Sequence, residues 1–208
     1  MNLKYYYWYF QSALSNEICD KIIELGNSKK EEIGITGNFR ERELSKKDTK
    51  ELKKTRNSNV TWLNDQWLYD LIYPYIHTAN KSSGWNFDFN YSESCQFTKY
   101  KLNQHYHWHC DSFKEPYNMP NNVDMHNKIR KLSVTCSLSN PKDYKGGELQ
   151  FDTKENFPNK KNKIITCKEI SPRGSLVVFP SFVWHRVKPV TKGIRYSLVL
   201  WNLGYPFK

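Results

Sequence analysis

The sequence predicts a mainly β protein with flanking helices, and three observations carry that expectation. Aromatic residues make up 15% of the chain and gather in short runs rather than along helical stripes, which suits pleated, half-buried surfaces. From residue 85 onward the chain breaks into brief apolar or alternating segments between Gly, Pro and Asn turns, the pattern of a sandwich or open barrel. A helical apolar period is found only in two stretches of the N-terminal third. With 208 residues, 38% of them hydrophobic, one sizeable core forms without staples. A single domain over 1–208 is therefore expected, with helical support and a mobile basic loop over 1–84 and the β core over 85–208.

Residues 4–10, KYYYWYF, read as an edge strand. Ser15 then caps a helix with Ile18, Ile22, Ile23 and Leu25 on its apolar side and a stop at Gly26. Between Lys29 and Arg56 the apolar period dissolves into charge, with Lys46, Lys47, Lys50, Lys53 and Lys54, so a mobile basic loop is predicted, able to cover a substrate. Asn59–Leu63 reads as a strand, and Asp65 caps a second helix carrying Leu68, Leu71, Ile72, Tyr75 and Ile76, with His77 a packing residue. Strands are then expected at 85–90, 93–100, 104–109, 130–138, 148–151, 164–170, 175–179, 183–188 and 194–201. The stretch Ser112 to Lys128, with Pro116, Pro120, Asn121 and Asn122, has no period, and so long an interruption inside a domain reads as a lid or binding loop.

The charge balance, 32 Lys and Arg against 21 Asp and Glu, gives +11 and favours anionic partners, although its even spread suits solubility best. Five cysteines without a CxxC pair indicate neither a disulfide framework nor a zinc site. The N-terminus lacks a cleavage signature, and no apolar run approaches the roughly 20 residues a membrane span needs, so a cytoplasmic protein without membrane contact is expected.

Three of six histidines fall in Gln104-His-Tyr-His-Trp-His-Cys-Asp111, which holds the chain's one His-x-Asp, His109-Cys110-Asp111. Residues i and i+2 of a strand share a face, so both side chains can reach one ion. His185, on the strand after Ser175-Leu-Val-Val-Phe-Pro180, is the best third ligand. Two imidazoles and one carboxylate leave open positions for a cosubstrate and dioxygen, as in non-haem Fe(II) oxygenases. No HExxH of the zinc hydrolases is present. On a regular strand His105 and His107 share the face of His109 and compete as ligands. Ten residues after His185, Arg195 sits in an apolar strand with Ser197 on its face, and a buried guanidinium there calls for a carboxylate, either an internal acidic side chain or, as preferred here, an external dicarboxylate.

Taken together, Tyr100-x-x-Asn103-x-x-Tyr106-x-x-His109-x-Asp111, Gly146-Gly-Glu-Leu149, His185-Arg-Val-x-Pro189-Val, Arg195-x-Ser197 and Trp201 resemble the iron(II)- and 2-oxoglutarate-dependent oxygenases, in particular the prolyl 4-hydroxylase-like branch. The resemblance covers roughly residues 90–205. It implies a double-stranded β-helix (jelly-roll) core and Fe(II) on His109, Asp111 and His185. Arg195 would then pair with the distal carboxylate of 2-oxoglutarate, Tyr100 would hydrogen-bond it, and Ser133, Ser197 and Trp201 would line the same pocket. Tyr106 would face the substrate as the catalytic-site tyrosine. The implied reaction consumes O2, releases succinate and CO2, and depends on ascorbate. The family commonly has Gly where Asn103 stands, and collagen-type prolyl hydroxylases often have Lys where Arg195 stands.

The expected substrate is a prolyl residue of a peptide or protein. Tyr106 and Trp108 offer aromatic faces, and the basic loop would complement acidic peptides. Hydroxylation of another residue or small molecule is an alternative, as is oxidative demethylation of nucleic-acid bases, although those demethylases carry a further Arg where this chain has Trp201.

Overall fold

A computed structural model describes residues 3–36, 43–153 and 163–207. In chain order its elements begin with β1 (Trp8–Phe10), α1 (Asn16–Ser28), β2 (Glu32–Ile33), α2 (Lys46–Thr55), β3 (Arg56–Asn57), β4 (Asn59–Leu63) and α3 (Gln66–Ser82). There follow β5 (Tyr91–Ser92), β6 (Cys95–Tyr100), β7 (His105–His109), β8 (Ile129–Ser137), β9 (Tyr144–Gly146), β10 (Leu149–Thr153) and β11 (Lys163–Thr166). A 3-10 turn, Lys168–Ile170, leads to β12 (Leu176–Pro180), β13 (Trp184–Val187), β14 (Val190–Gly193) and β15 (Arg195–Gly204).

The larger sheet runs β1-β12-β8-β15-β6-β4-β2, with β5 paired to β15; the smaller runs β11-β10-β13-β7-β3, and β14 pairs with β9. This is the jelly-roll arrangement, and strand parity explains its chemistry. On β12, Leu176 and Val178 join the core beneath the helices, whereas Val177 and Phe179 join the core between the sheets. On β15, Leu198 and Leu200 face the helix-side core while Arg195, Ser197, Val199 and Trp201 line the space between the sheets. Helices α1 and α3 supply Cys19, Ile22, Leu68, Ile72 and Ile76 to the outer core. Polar residues of the larger sheet are thereby gathered on its inner face.

Several elements differ from expectation. Ser15 does cap α1, its hydroxyl accepting from Ile18 N at 3.3 Å, but the helix passes Gly26 and ends at Ser28. Gly26 is needed for packing instead: a Cβ there would lie 2.4 Å from the Phe97 ring. The predicted basic loop is largely ordered, because Ser45 and Asp48 form a capping box for α2 and Leu52 is fully buried. One apolar anchor is too few to register as a period. Residues 37–42 of that stretch lie outside the described residues.

The aromatic run beginning at Lys4 contributes only Trp8–Phe10 as strand, at the sheet edge beside β12. Residues 85–90 are not a strand: Asn80 clasps the N–H and carbonyl of Phe87 at 2.9 Å each, and Asn86 is at φ 50°, so Trp85 and Phe87 pack without a ladder. Residues 164–170 are part strand and part 3-10 turn. β9 and β14 were not expected, and they meet around Gly146 and Gly193 at positive φ. Ser112–Lys128 holds no helix or strand, as expected. All five cysteines are free. No helix of the described residues is long and apolar enough to cross a membrane.

Candidate active site

Strand β13 lies antiparallel to β7 with His185 opposite His109. Their rings stand 4.1 Å apart, and Asp111, two residues beyond, places its carboxylate between them, 3.7 Å from His109 Nε2 and 3.6 Å from His185 Nε2. The ligand atoms of the three residues lie within 4.8 Å of one another, the one such His, Cys, Asp or Glu group among the described residues. Each imidazole is oriented by its other nitrogen: His109 Nδ1 donates to His107 O at 2.8 Å and His185 Nδ1 to Val183 O at 2.9 Å. A carbonyl only accepts, so both Nε2 lone pairs are free for a metal.

Asp111 is positioned as firmly. Its backbone N–H and that of Ser112 both donate to Ser181 O, and Ser133 Oγ donates to its Oδ2 at 2.7 Å while contacting Ser181 Oγ at 2.9 Å. Burial works against the charge, but His185, His109, Arg130 and the Ser133 hydrogen bond hold the carboxyl at about 2. Burial and the neighbouring His185 push His109 well below the usual imidazole value, so it stays neutral. Two imidazoles and a carboxylate fit Fe(II).

The competition from His105 and His107 is removed by a bulge. Val187 pairs with Tyr106 while His185 pairs with His109, so β7 carries one extra residue there. Strict alternation is lost, His107 is exposed, and His105 contacts Asn103 O and Lys54 O. The same bulge turns Tyr106 onto His109, the rings stacked at 3.4 Å. Burial pushes the Tyr106 hydroxyl up to about 12, keeping it a neutral donor. Trp108, expected near the metal, instead stacks on Arg186 at 4.6 Å and lines neither site cavity.

From the triad an inner cavity runs between the sheets to Arg195, lined also by Tyr100, Tyr106, Ser197 and Trp201. Arg195 is 3% exposed, its guanidinium makes one hydrogen bond among the described residues, to Ser197 Oγ at 3.3 Å, and the Tyr100 ring lies 5.5 Å away. No acidic side chain among the described residues pairs with it. Gly147, at φ 66°, makes room for its stem, since a Cβ there would lie 2.8 Å from Arg195 Cδ. A buried, uncompensated guanidinium facing a metal triad across one cavity fits a cosubstrate with a chelating end and an anionic end. Trp201 Nε1 is a buried donor with no hydrogen-bond partner among the described residues. Ser133 does not line this cavity; being bound to Asp111, it belongs to the metal side of the site.

Beyond Tyr106 an outer cavity of about 360 Å3 opens, lined among others by Arg56, Trp62, Glu93, Gln96, Arg130 and Trp201. Arg130 is clamped by Glu93 at 2.6 and 2.5 Å and covers the Trp201 ring at 3.9 Å. Arg56, Glu93, Gln96 and Arg130 escaped the sequence reading because, spread over three strands and a loop, they form no local motif. The i, i+2 spacing of Arg56 and Ser58 into a strand was the one available signal. Asn103, where the family commonly has Gly, is at φ 63° and donates to Val190 O at 2.8 Å, so it adopts the left-handed turn that glycine would.

The profile of the 2OG-Fe(II) oxygenase superfamily matches residues 95–202, just over half of the chain. A PKHD-type hydroxylase of Synechococcus sp. is 40% identical over 80 residues, 38% of this chain and 32% of that protein. The PKHD-type hydroxylase YbiX of Escherichia coli is 34% identical over 105 residues, 50% of this chain and 40% of that protein. The matches thus span about a third to two fifths of these curated relatives. Among solved structures, the viral collagen prolyl hydroxylase of Paramecium bursaria Chlorella virus-1 superposes with a TM-score of 0.62 at 20% identity, covering 97% of each chain. A prolyl hydroxylase from Trichoplax adhaerens, in complex with a hypoxia inducible factor peptide fragment, gives 0.61 at 18% identity over 96% of this chain and 84% of that one. Those two likenesses establish the jelly-roll fold. Because the profile match runs through the strands carrying the triad and Arg195, the chain belongs to the 2OG-Fe(II) oxygenase superfamily.

Proposed function

We propose that this chain is an Fe(II)- and 2-oxoglutarate-dependent dioxygenase that hydroxylates a prolyl residue of a peptide or protein, releasing succinate and CO2. The observation that carries the reading is the single buried cavity with His109, Asp111 and His185 at one end and the uncompensated Arg195 at the other. The triad would hold Fe(II), which when bound supplies the redox chemistry between O2, 2-oxoglutarate and a C–H bond. Arg195, with Ser197 and Tyr100 beside it, would take the distal carboxylate of 2-oxoglutarate and so fix the reach of its 2-oxo acid end towards the triad. Ser133 and Ser181 would keep Asp111 pointed at the metal, and the packed walls Phe179, Leu149 and Val187 would exclude water. Tyr106, shared by both cavities, would face the substrate with a protonated hydroxyl.

The prolyl substrate is supported by the names of the relatives, hydroxylases and prolyl hydroxylases, one of them bound to a peptide. The test is incubation with Fe(II), 2-oxoglutarate, ascorbate and a panel of proline-containing peptides, followed by mass spectrometry and succinate assay. Gain of one oxygen on a peptide with matching succinate release is expected. If no peptide gains oxygen while a methylated oligonucleotide loses its methyl group, the prolyl reading fails.

A further inference from the structure

The inner and outer cavities share Tyr106, Asp111, Gln96 and Trp201, yet each has a guanidinium that does not line the other: Arg195 inside and Arg56 outside. Arg56 is 5% exposed. Its three hydrogen bonds all go to neutral acceptors, Nε to Ser58 Oγ at 3.0 Å, Nη1 to Ile35 O at 3.2 Å and Nη2 to Gln96 Oε1 at 3.0 Å. A guanidinium has five N–H groups, so one on each terminal nitrogen is left over. Gly34 packs closely against it, where a Cβ would lie 2.6 Å from Nε, and the guanidinium lies over the Tyr106 ring at 4.7 Å. No acidic side chain among the described residues pairs with it. Arg130 in the same cavity is the contrast, since Glu93 occupies its fork and Tyr117 donates to that carboxylate at 3.0 Å. Burying an unpaired charge is costly unless a partner arrives.

We infer that Arg56 is the anion subsite of the substrate cavity and that the substrate carries a carboxylate beside the residue oxidised, either an Asp or Glu side chain or a free C-terminus. The inference rests on the peptide reading above. A planar carboxylate can take both remaining N–H groups, whereas the Glu93–Arg130 pair is already neutral. Of the other two acids on the cavity wall, Asp111 belongs to the His109–Asp111–His185 triad and Glu32 is exposed at the rim. Helix α2, which leads directly into Arg56, carries Lys46, Lys47, Lys50, Lys53 and Lys54 against Asp48 and Glu51, so its field also draws an anion in.

The experiment uses the protein loaded with Mn(II) and 2-oxoglutarate without O2, and matched proline peptides. One series scans Glu against Gln along the positions flanking proline; a second compares a C-terminal acid with its amide. Tryptophan fluorescence reads affinity. At least one acid should bind about tenfold more tightly than its amide twin, and Arg56→Gln should bring that ratio close to one. Equal affinities throughout the wild-type panel, no peptide binding at all, or a ratio that survives in Arg56→Gln would overturn the inference, and the wild-type comparison decides even if the variant fails to fold. Aerobic assays with Fe(II) separate the two readings. A peptide with the acid preference that gains no oxygen refutes prolyl hydroxylation and leaves the subsite; one oxidised without that preference does the reverse.

Discussion

Replacing Arg195 by Met separates what this residue costs the fold from what it does for the cosubstrate. The aliphatic stem of Met can still pack in the space that Gly147 leaves open and beside the Tyr100 ring, so little volume is lost. What disappears is a charge held at 3% exposure with one 3.3 Å hydrogen bond. In the protein without cosubstrate that charge is a liability, and the variant should melt at the same temperature or higher. With 2-oxoglutarate the sign reverses, because a desolvated charge-assisted pair is lost, a penalty of about 2–5 kcal/mol. At 1.4 kcal/mol per decade, KM for 2-oxoglutarate should rise about 30-fold to several-thousand-fold. The control is a 2-oxo acid of similar length without the distal carboxylate: the wild type should discriminate against it strongly and Arg195→Met hardly at all. An unchanged KM for 2-oxoglutarate, or discrimination that persists in the variant, would refute the anion-clamp argument.

Asp111→Ala should abolish stoichiometric Fe(II) binding, measured by metal analysis after desalting, since two imidazoles alone lack the charge and facial geometry; full occupancy would move the site elsewhere. Ser133→Ala should weaken metal affinity about 10- to 100-fold by freeing the Asp111 carboxylate, with Ser133→Thr restoring it in a Co(II) titration; equal affinities in all three would refute that role. The metal-free protein should lose stability in acid in two stages. His109, whose folded pKa is lowered, favours folding above its unfolded value near 6.5, and this contribution is lost as pH falls below it. Asp111, lowered from 3.8 to about 2, contributes about 2 kcal/mol above 3.8 that is lost as pH falls towards 2; Asp111→Asn should flatten that lower window in urea titrations between pH 4 and 2. Gly26→Ala should cost about 1–3 kcal/mol, seen as a fall in melting temperature, because the new methyl meets the buried Phe97 ring. An unchanged melting temperature would mean that α1 does not lie that tightly on the sheet.

The features of this protein legible in its sequence are those that the chemistry of a short segment dictates. The cap at Ser15, the start of α3 after Asp65 (whose side chain makes no capping hydrogen bond), strand Asn59–Leu63, the long coil after Ser112 and the His109-x-Asp111 pair each follow from neighbours a few residues apart. The jelly roll and the partnership of His109 with His185 and Arg195 were reached through motif order, which stands in for contacts that spacing alone does not specify. Where the local signal was a single residue, as with Leu52 in α2, the expectation failed. Where it was ambiguous, as with the aromatics at 85–90, a side-chain clasp from Asn80 decided the outcome.

By itself the sequence determined the residue types at the metal site, the alternation that sends Arg195, Ser197 and Trp201 to one face of β15, and the class of fold that such alternation requires. Only the tertiary structure decided which histidine of the 105–109 run stands beside Asp111 and His185, because a β-bulge, set by pairing with β13, breaks the alternation of β7. It alone set Ser133 behind Asp111 rather than on the wall of the inner cavity, and it alone brought Arg56, Glu93, Gln96 and Arg130 around one cavity. The physical reason is common to all three: strand pairing and burial are contacts between residues far apart in the chain, and their energy does not depend on sequence spacing.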